Sequence, residues 1–132
     1  MLSHENLVTN ISGISAGVGI KSTDSSMGWM PLTHDMGLIM LHMTNVYACI
    51  DQYIIPTSIF VRNPVLWMRK ANEYKATLLS SPNFGYKHFL NFFKDNEIAA
   101  EWDLSCIRLI YNGAEPISHE LCYRFINELD IS

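Results

Sequence analysis

Charge is what this sequence of 132 residues has least of. Asp, Glu, Lys and Arg make up 17% of it, against roughly a quarter in soluble domains. Hydrophobic residues supply 48%, which predicts an extensive core and a surface that in part faces further protein. The few basic residues are scattered and the net charge is −4, so the clustered footprint of a nucleic-acid binder is excluded. Cysteine is also scarce. Cys49, Cys106 and Cys122 are odd in number and lack CxxC spacing, which predicts buried, reduced thiols in a cytoplasmic protein. No charged segment followed by an apolar one opens the chain as a secretory signal would. The longest apolar stretch, Met36 to Ile50, is broken by His42, Thr44 and Asn45 and falls short of the roughly 20 residues a membrane span requires. No G-x-S-x-G elbow is present. His4, His42, His88 and His119 have no metal-ligand spacing, so no metal site is assigned.

What is present alternates. Ser3 caps a first helix whose Leu7, Ile11, Ile14 and Val18 follow helical spacing, with Gly17 and Gly19 as terminators. Met27 to Met30 has strand character and is closed by Pro31. Asp35 then reads as the N-cap of a helix to about Cys49 that is apolar nearly all round and therefore buried on most sides. Tyr53 to Pro56 reads as a second strand, and Asn63-Pro64 starts a helix to Tyr74. Ala76 to Ser80 forms a third strand, followed by a turn at Ser81-Pro82-Asn83 and an aromatic helix from Phe84 to Phe93. Lys94 to Asp103 reads as a short helical turn. Ile107 to Tyr111 is the fourth strand, and Ser118 caps a final helix to Leu129. This order predicts an α/β fold, one unit over residues 1–132, with mainly parallel strands joined by right-handed crossovers.

Ligands of open α/β sheets bind outside the carboxyl ends of the strands. Three strand ends carry unusual turns, PLTHDMG, SSPNFGY and NGAEP, which a parallel sheet gathers along one edge. His34 and Asp35 are neighbours in sequence, a poor arrangement for a hydrolase pair. Asp35 reads as a cap, whereas His34 reads either as a loop histidine satisfied by backbone or as a contact for negative charge near a helix start. NGAEP likewise reads two ways, as an ordinary turn or as backbone at Gly113 and Ala114 that a flat ring can approach closely. The aromatics of the fifth helix and Met27, Met30, Met36, Met40, Met43 and Met68 read as core or as an adaptable apolar wall.

Together, WMPLTHDMGL, SPNFGY and NGAEPIS resemble the adenylate-forming (AMP-binding) enzymes. Within them the chain looks most like the fatty acyl-AMP ligases and the acyl-ligase loading domains of polyketide and nonribosomal peptide synthases, over essentially its whole length. The resemblance implies that a carboxylic acid is activated by ATP and Mg²⁺ as acyl-AMP. The acyl group then passes to the phosphopantetheine of an acyl carrier protein. It implies His34 as the catalytic contact at the carboxylate and α-phosphate, and Asn112, Gly113, Ala114 and Glu115 as the adenine-binding turn. It further implies Met36, Gly37, Ser81, Pro82, Asn83 and Phe84 as the border of the acyl pocket. On this resemblance the chain is expected to be an internal piece of the large N-terminal domain. The Gly-rich phosphate loop, the Tyr-Gly-x-x-Glu motif, the ribose-binding aspartate and the C-terminal domain would lie outside it. Alone it is expected to be inactive, to hold no cofactor firmly and to self-associate through exposed apolar surface. The competing expectations are a piece of an acid–CoA ligase and a non-enzymatic α/β binding module.

Overall fold

The computed structural model describes residues 1–93 and 102–131, so the expected turn at Lys94 to Asp103 lies mostly outside the described residues. Helix α1, His4–Val18, opens on a capping box: the Ser3 hydroxyl accepts from the Asn6 amide while Asn6 Oδ1 accepts from the Ser3 amide. Gly19 closes it at φ 62°, a left-handed conformation that glycine adopts without penalty. Strand β1, Ser25–Gly28, leads through Trp29 to Pro31 into a π-helical segment, Met36–Met43, and its short continuation α2, Thr44–Ala48. Then come β2 Asp51–Ile54, α3 Thr57–Arg62, α4 Val65–Tyr74, β3 Leu78–Pro82, α5 Asn83–Phe93, β4 Leu109–Gly113 and α6 His119–Glu128.

The strands form one parallel sheet in the order β2-β1-β3-β4, as the alternation predicts. Helices cover both faces. Asn45 Nδ2 reaches Ser26 Oγ at 2.5 Å, and a Cβ on Gly28 would meet Leu41 and Ser80, which places the π-helical segment and α2 on that face. On the other face Trp67, Tyr86, Phe89 and Phe125 interlock at ring-centroid distances of 4.9–6.5 Å, joining α4, α5 and α6 into the core. Among the described residues no helix is long and apolar enough to cross a membrane.

Several boundaries differ from expectation. β1 and β2 start two residues early, and β3 and β4 run two residues late. Ser81, Pro82, Asn112 and Gly113 therefore lie in strands, and α5 begins directly at Asn83 with no intervening turn. α3 has no counterpart in the sequence reading; Phe60, fully buried, holds it by stacking on Trp29 at 3.9 Å. The segment from Met36 is wider than an α-helix because the Ile39 carbonyl accepts both the amide and the hydroxyl of Thr44, five residues on. It is also less buried than its composition implies, with Val46 and Tyr47 at least half exposed. Asp35 does not cap it: its backbone is already helical and its side chain makes no cap hydrogen bond. The thiols are free, as expected, but Cys49 is exposed while Cys106 and Cys122 are half-buried, because Cys49 occupies the left-handed end of α2 at φ 54°.

Candidate adenylate site

The parallel sheet brings the three turns to one edge, at the ends of β1, β3 and β4. At the first, the His34 amide bonds the Pro31 carbonyl at 3.1 Å and folds the chain back. His34 Nδ1 accepts from the Met36 amide at 3.1 Å, so the histidine performs the capping that the sequence assigned to Asp35. Because Nδ1 accepts, the proton of the neutral ring sits on Nε2, leaving that N–H as a donor on an exposed side chain. Gly37 is buried, and a Cβ there would stand 2.3 Å from the Pro31 carbonyl oxygen. No other residue lets the π-helical segment close onto the turn without moving backbone. Met36, beside it, is 6% exposed and packs into the hydrophobic core.

At the end of β3, Ser81 and Pro82 are buried, with Ser81 Oγ donating to the Pro82 carbonyl at 2.8 Å. Phe84 is half exposed and meets the edge of Trp29 at 5.5 Å. Gly85 lets α5 lie directly on that indole, since its Cβ would come within 2.5 Å of Trp29 Cζ2. Trp29, two residues before Pro31, thereby ties the first turn to the second, a link that its place in the sequence does not announce.

The end of β4 carries the strained position. Ala114 has φ 68°, a left-handed conformation that costs a residue with a Cβ about 1–2 kcal/mol. Beside it, the space where a Gly113 Cβ would stand is open to at least 4 Å. Asn112 does not point outward. Its Nδ2 donates to Asn83 Oδ1 at 3.3 Å and to Cys122 Sγ at 3.2 Å, and its buried Oδ1 has no partner among the described residues, above a cavity of about 50 Å³ lined by Tyr86, Cys122 and Phe125. Burial pushes the Tyr86 phenol well above its ordinary range, so it stays protonated and donates to the Tyr111 carbonyl.

The second and third turns are joined directly. Glu115 Oε1 accepts from the Phe84 amide at 2.5 Å, and Asn83 Oδ1 also accepts from the Ser118 amide at 3.0 Å. Ser118 in turn caps α6 through the Leu121 amide. His34 stands apart: among the described residues no hydrogen bond connects its side chain to either of these turns. No three His, Cys, Asp or Glu come together among the described residues in a way that could hold a metal ion. A groove of about 400 Å³ lies elsewhere, at the exposed β2 edge between Tyr53, Ile59, Leu66 and Tyr74; none of the expected site residues lines it.

Known proteins match this arrangement. The model of the AMP-binding enzyme family matches residues 1–131. The chain is 34% identical over 126 residues to the medium-chain-fatty-acid–acyl-carrier-protein ligase JamA of Moorena producens, covering 96% of this chain and 21% of that protein. A fatty acyl-adenylate ligase from L. pneumophila, solved with acyl adenylate and pyrophosphate, superposes with a TM-score of 0.91 at 33% identity, over 98% of this chain and 23% of that one. The adenylation domain of a keto acid-selecting NRPS module, bound to keto acyl adenylate, gives 0.90 at 33% identity, over 97% of this chain and 23% of that one. The chain thus spans about a fifth of the length of the curated relatives it matches. With three sheet-edge turns in a parallel α/β frame and a family match along nearly its whole length, the chain belongs to the AMP-binding enzyme family.

Proposed function

We propose that these residues form the acyl and adenine side of a site that activates a fatty or related carboxylic acid as acyl-AMP. The acyl group would then pass to a carrier-protein phosphopantetheine. A carboxylate oxygen attacks the α-phosphorus of ATP; that P–O bond forms as the bond to pyrophosphate breaks. A thiol then takes the acyl carbon and AMP leaves. Two anions must meet in the first step, so a donor at their junction lowers the barrier. His34 Nε2–H is the donor this chain offers. Gly113 and Ala114 present backbone to the adenine, with Asn112 and Glu115 shaping the turn from behind. Met36, Gly37, Ser81, Pro82, Asn83 and Phe84 border the acyl chain, where only Phe84 offers a large exposed face. Phosphate, ribose and Mg²⁺ contacts come from the remainder of an adenylation domain, which the exposed apolar side chains of α2 also fit as a partner; self-association is the alternative use of that face.

The observation that carries this reading is the open space over Gly113 next to a strained Ala114. It also supplies the test. Gly113→Val adds a side chain that the fold accommodates and that β4 favours, but that occupies the place of a flat ring. Calorimetry with a non-hydrolysable acyl-sulfamoyl adenosine should show affinity reduced at least tenfold, with the melting temperature unchanged. No heat from either protein would favour a module without nucleotide chemistry, and equal heats would place the ring away from Gly113.

A further inference from the structure

The hydrogen bonds between the second and third turns are reciprocal. Glu115, from the turn after β4, satisfies the Phe84 amide in the first turn of α5 at 2.5 Å. Asn83, the first residue of α5, satisfies the Ser118 amide at the start of α6 at 3.0 Å and holds Asn112 at 3.3 Å. Each helix start is thus completed by a side chain from the other turn. Amides at a helix start have no partner within the helix, so the Glu115 carboxylate and the Asn83 amide oxygen meet donors that would otherwise go to water.

The geometry points to Asn83 and Glu115 as a pair of positioning residues that makes the two turns one mechanical unit. The conformation of the strained Gly113-Ala114 backbone then depends on a side chain at the acyl end of the site. Asn112 extends the coupling, because its amide is fixed between Asn83 Oδ1 and Cys122 Sγ and it immediately precedes Gly113. A change at residue 83 should therefore reach the adenine side through residues 112–115, without Asn83 touching the nucleotide. Two separately anchored turns would transmit nothing.

Only the affinity readout below rests on the function proposed above; the exchange and shift readouts do not. The test uses the 132-residue chain labelled with ¹⁵N, with Asn83→Ala and Asn83→Asp, and Glu115→Ala and Glu115→Gln. Asp and Gln keep the accepting oxygen that each bond uses. In Asn83→Ala, the Ser118 amide should exchange at least tenfold faster, and the shifts of Gly113 and Ala114 should move. In Glu115→Ala, the Phe84 amide should do the same. The Asp and Gln variants should restore both. The dissociation constant of acyl-sulfamoyl adenosine should rise about tenfold in Asn83→Ala. If Gly113 and Ala114 keep their shifts while Ser118 exchanges faster, Asn83 is a local cap only and the coupling is wrong. If wild type binds the adenosine analogue and Asn83→Ala binds it equally, the coupling is again overturned. If wild type gives no heat, the proposed function loses its support, and the shifts at 113 and 114 alone decide the clasp. Should Asn83→Ala fail to fold, Asn83→Ser, whose hydroxyl is too short to serve both donors, takes its place with the same expectations.

Discussion

Single side chains here do work that their type does not announce. His34 serves its own helix start through Nδ1 and faces outward with Nε2. His34→Ala should therefore lose about 1 kcal/mol of stability in urea, the usual cost of a lost cap. His34→Asn, which keeps a short acceptor, should recover most of that without recovering affinity for an acyl-adenylate analogue. Recovery of both would make the histidine a cap alone. At the opposite end of β1, Asp24 is nearly fully buried and pairs with Arg108 at 2.5 Å, while accepting from Thr77 Oγ1 and the Lys21 amide. The Arg108 guanidinium, more than any other neighbour, holds its carboxyl well below the usual carboxylate range, against the opposing pull of burial. A carboxyl depressed in the folded state stabilises above its unfolded value near 3.9 and loses that contribution as pH falls towards its folded value. Asp24→Asn should cost about 3 kcal/mol at pH 7, the low end for a broken buried pair, because Arg108 remains a third exposed. The gap between the two urea midpoints should close as pH drops below about 4. A gap that stays constant to pH 2.5 would rule out this linkage.

Between elements, the close approaches decide what glycine is for. Gly37 sets the π-helical segment against the Pro31 carbonyl, and Gly85 sets α5 on Trp29. Gly37→Ala and Gly85→Ala should each cost about 1–3 kcal/mol by overpacking, read as lowered melting temperature, although alanine is the better helix former at both positions. A rise in melting temperature would show that propensity wins over contact. These approaches were invisible in the sequence, which showed a helix start and an aromatic helix but not what each would lie upon. The alternation of strands and helices was legible because each period is local, and Ser3, Ser118 and Pro64 marked helix starts correctly. Asp35 misled because an aspartate before an apolar run is a cap signal in general; here the imidazole one residue earlier already held the amide. Thr57 to Arg62 was missed because its helix depends on Phe60 reaching Trp29 across the sheet edge, a tertiary fact. The three turns were legible as a group, since a parallel sheet must gather its strand ends. Their cross-bonds were not, because Asn83 and Glu115 are 32 positions apart.

For the molecule as a whole, the sheet does two separable jobs. Its amino end is pinned by Asp24 and Arg108, and its carboxyl end presents the turns. Apolar exposure follows a third direction, along Val8, Val46 and Tyr47 and at the β2 edge around Ile54 and Ile59. The proposed function requires the parallel sheet edge built from β1, β3 and β4 to receive an acyl-adenylate. The direct measurement is a titration of the ¹⁵N-labelled chain with acyl-sulfamoyl adenosine, following every assigned amide. Shifts should be concentrated at His34 to Gly37, at Phe84 and at Gly113 to Glu115. Shifts confined to the β2-edge groove around Tyr53 and Leu66, or none at saturating ligand, would contradict it.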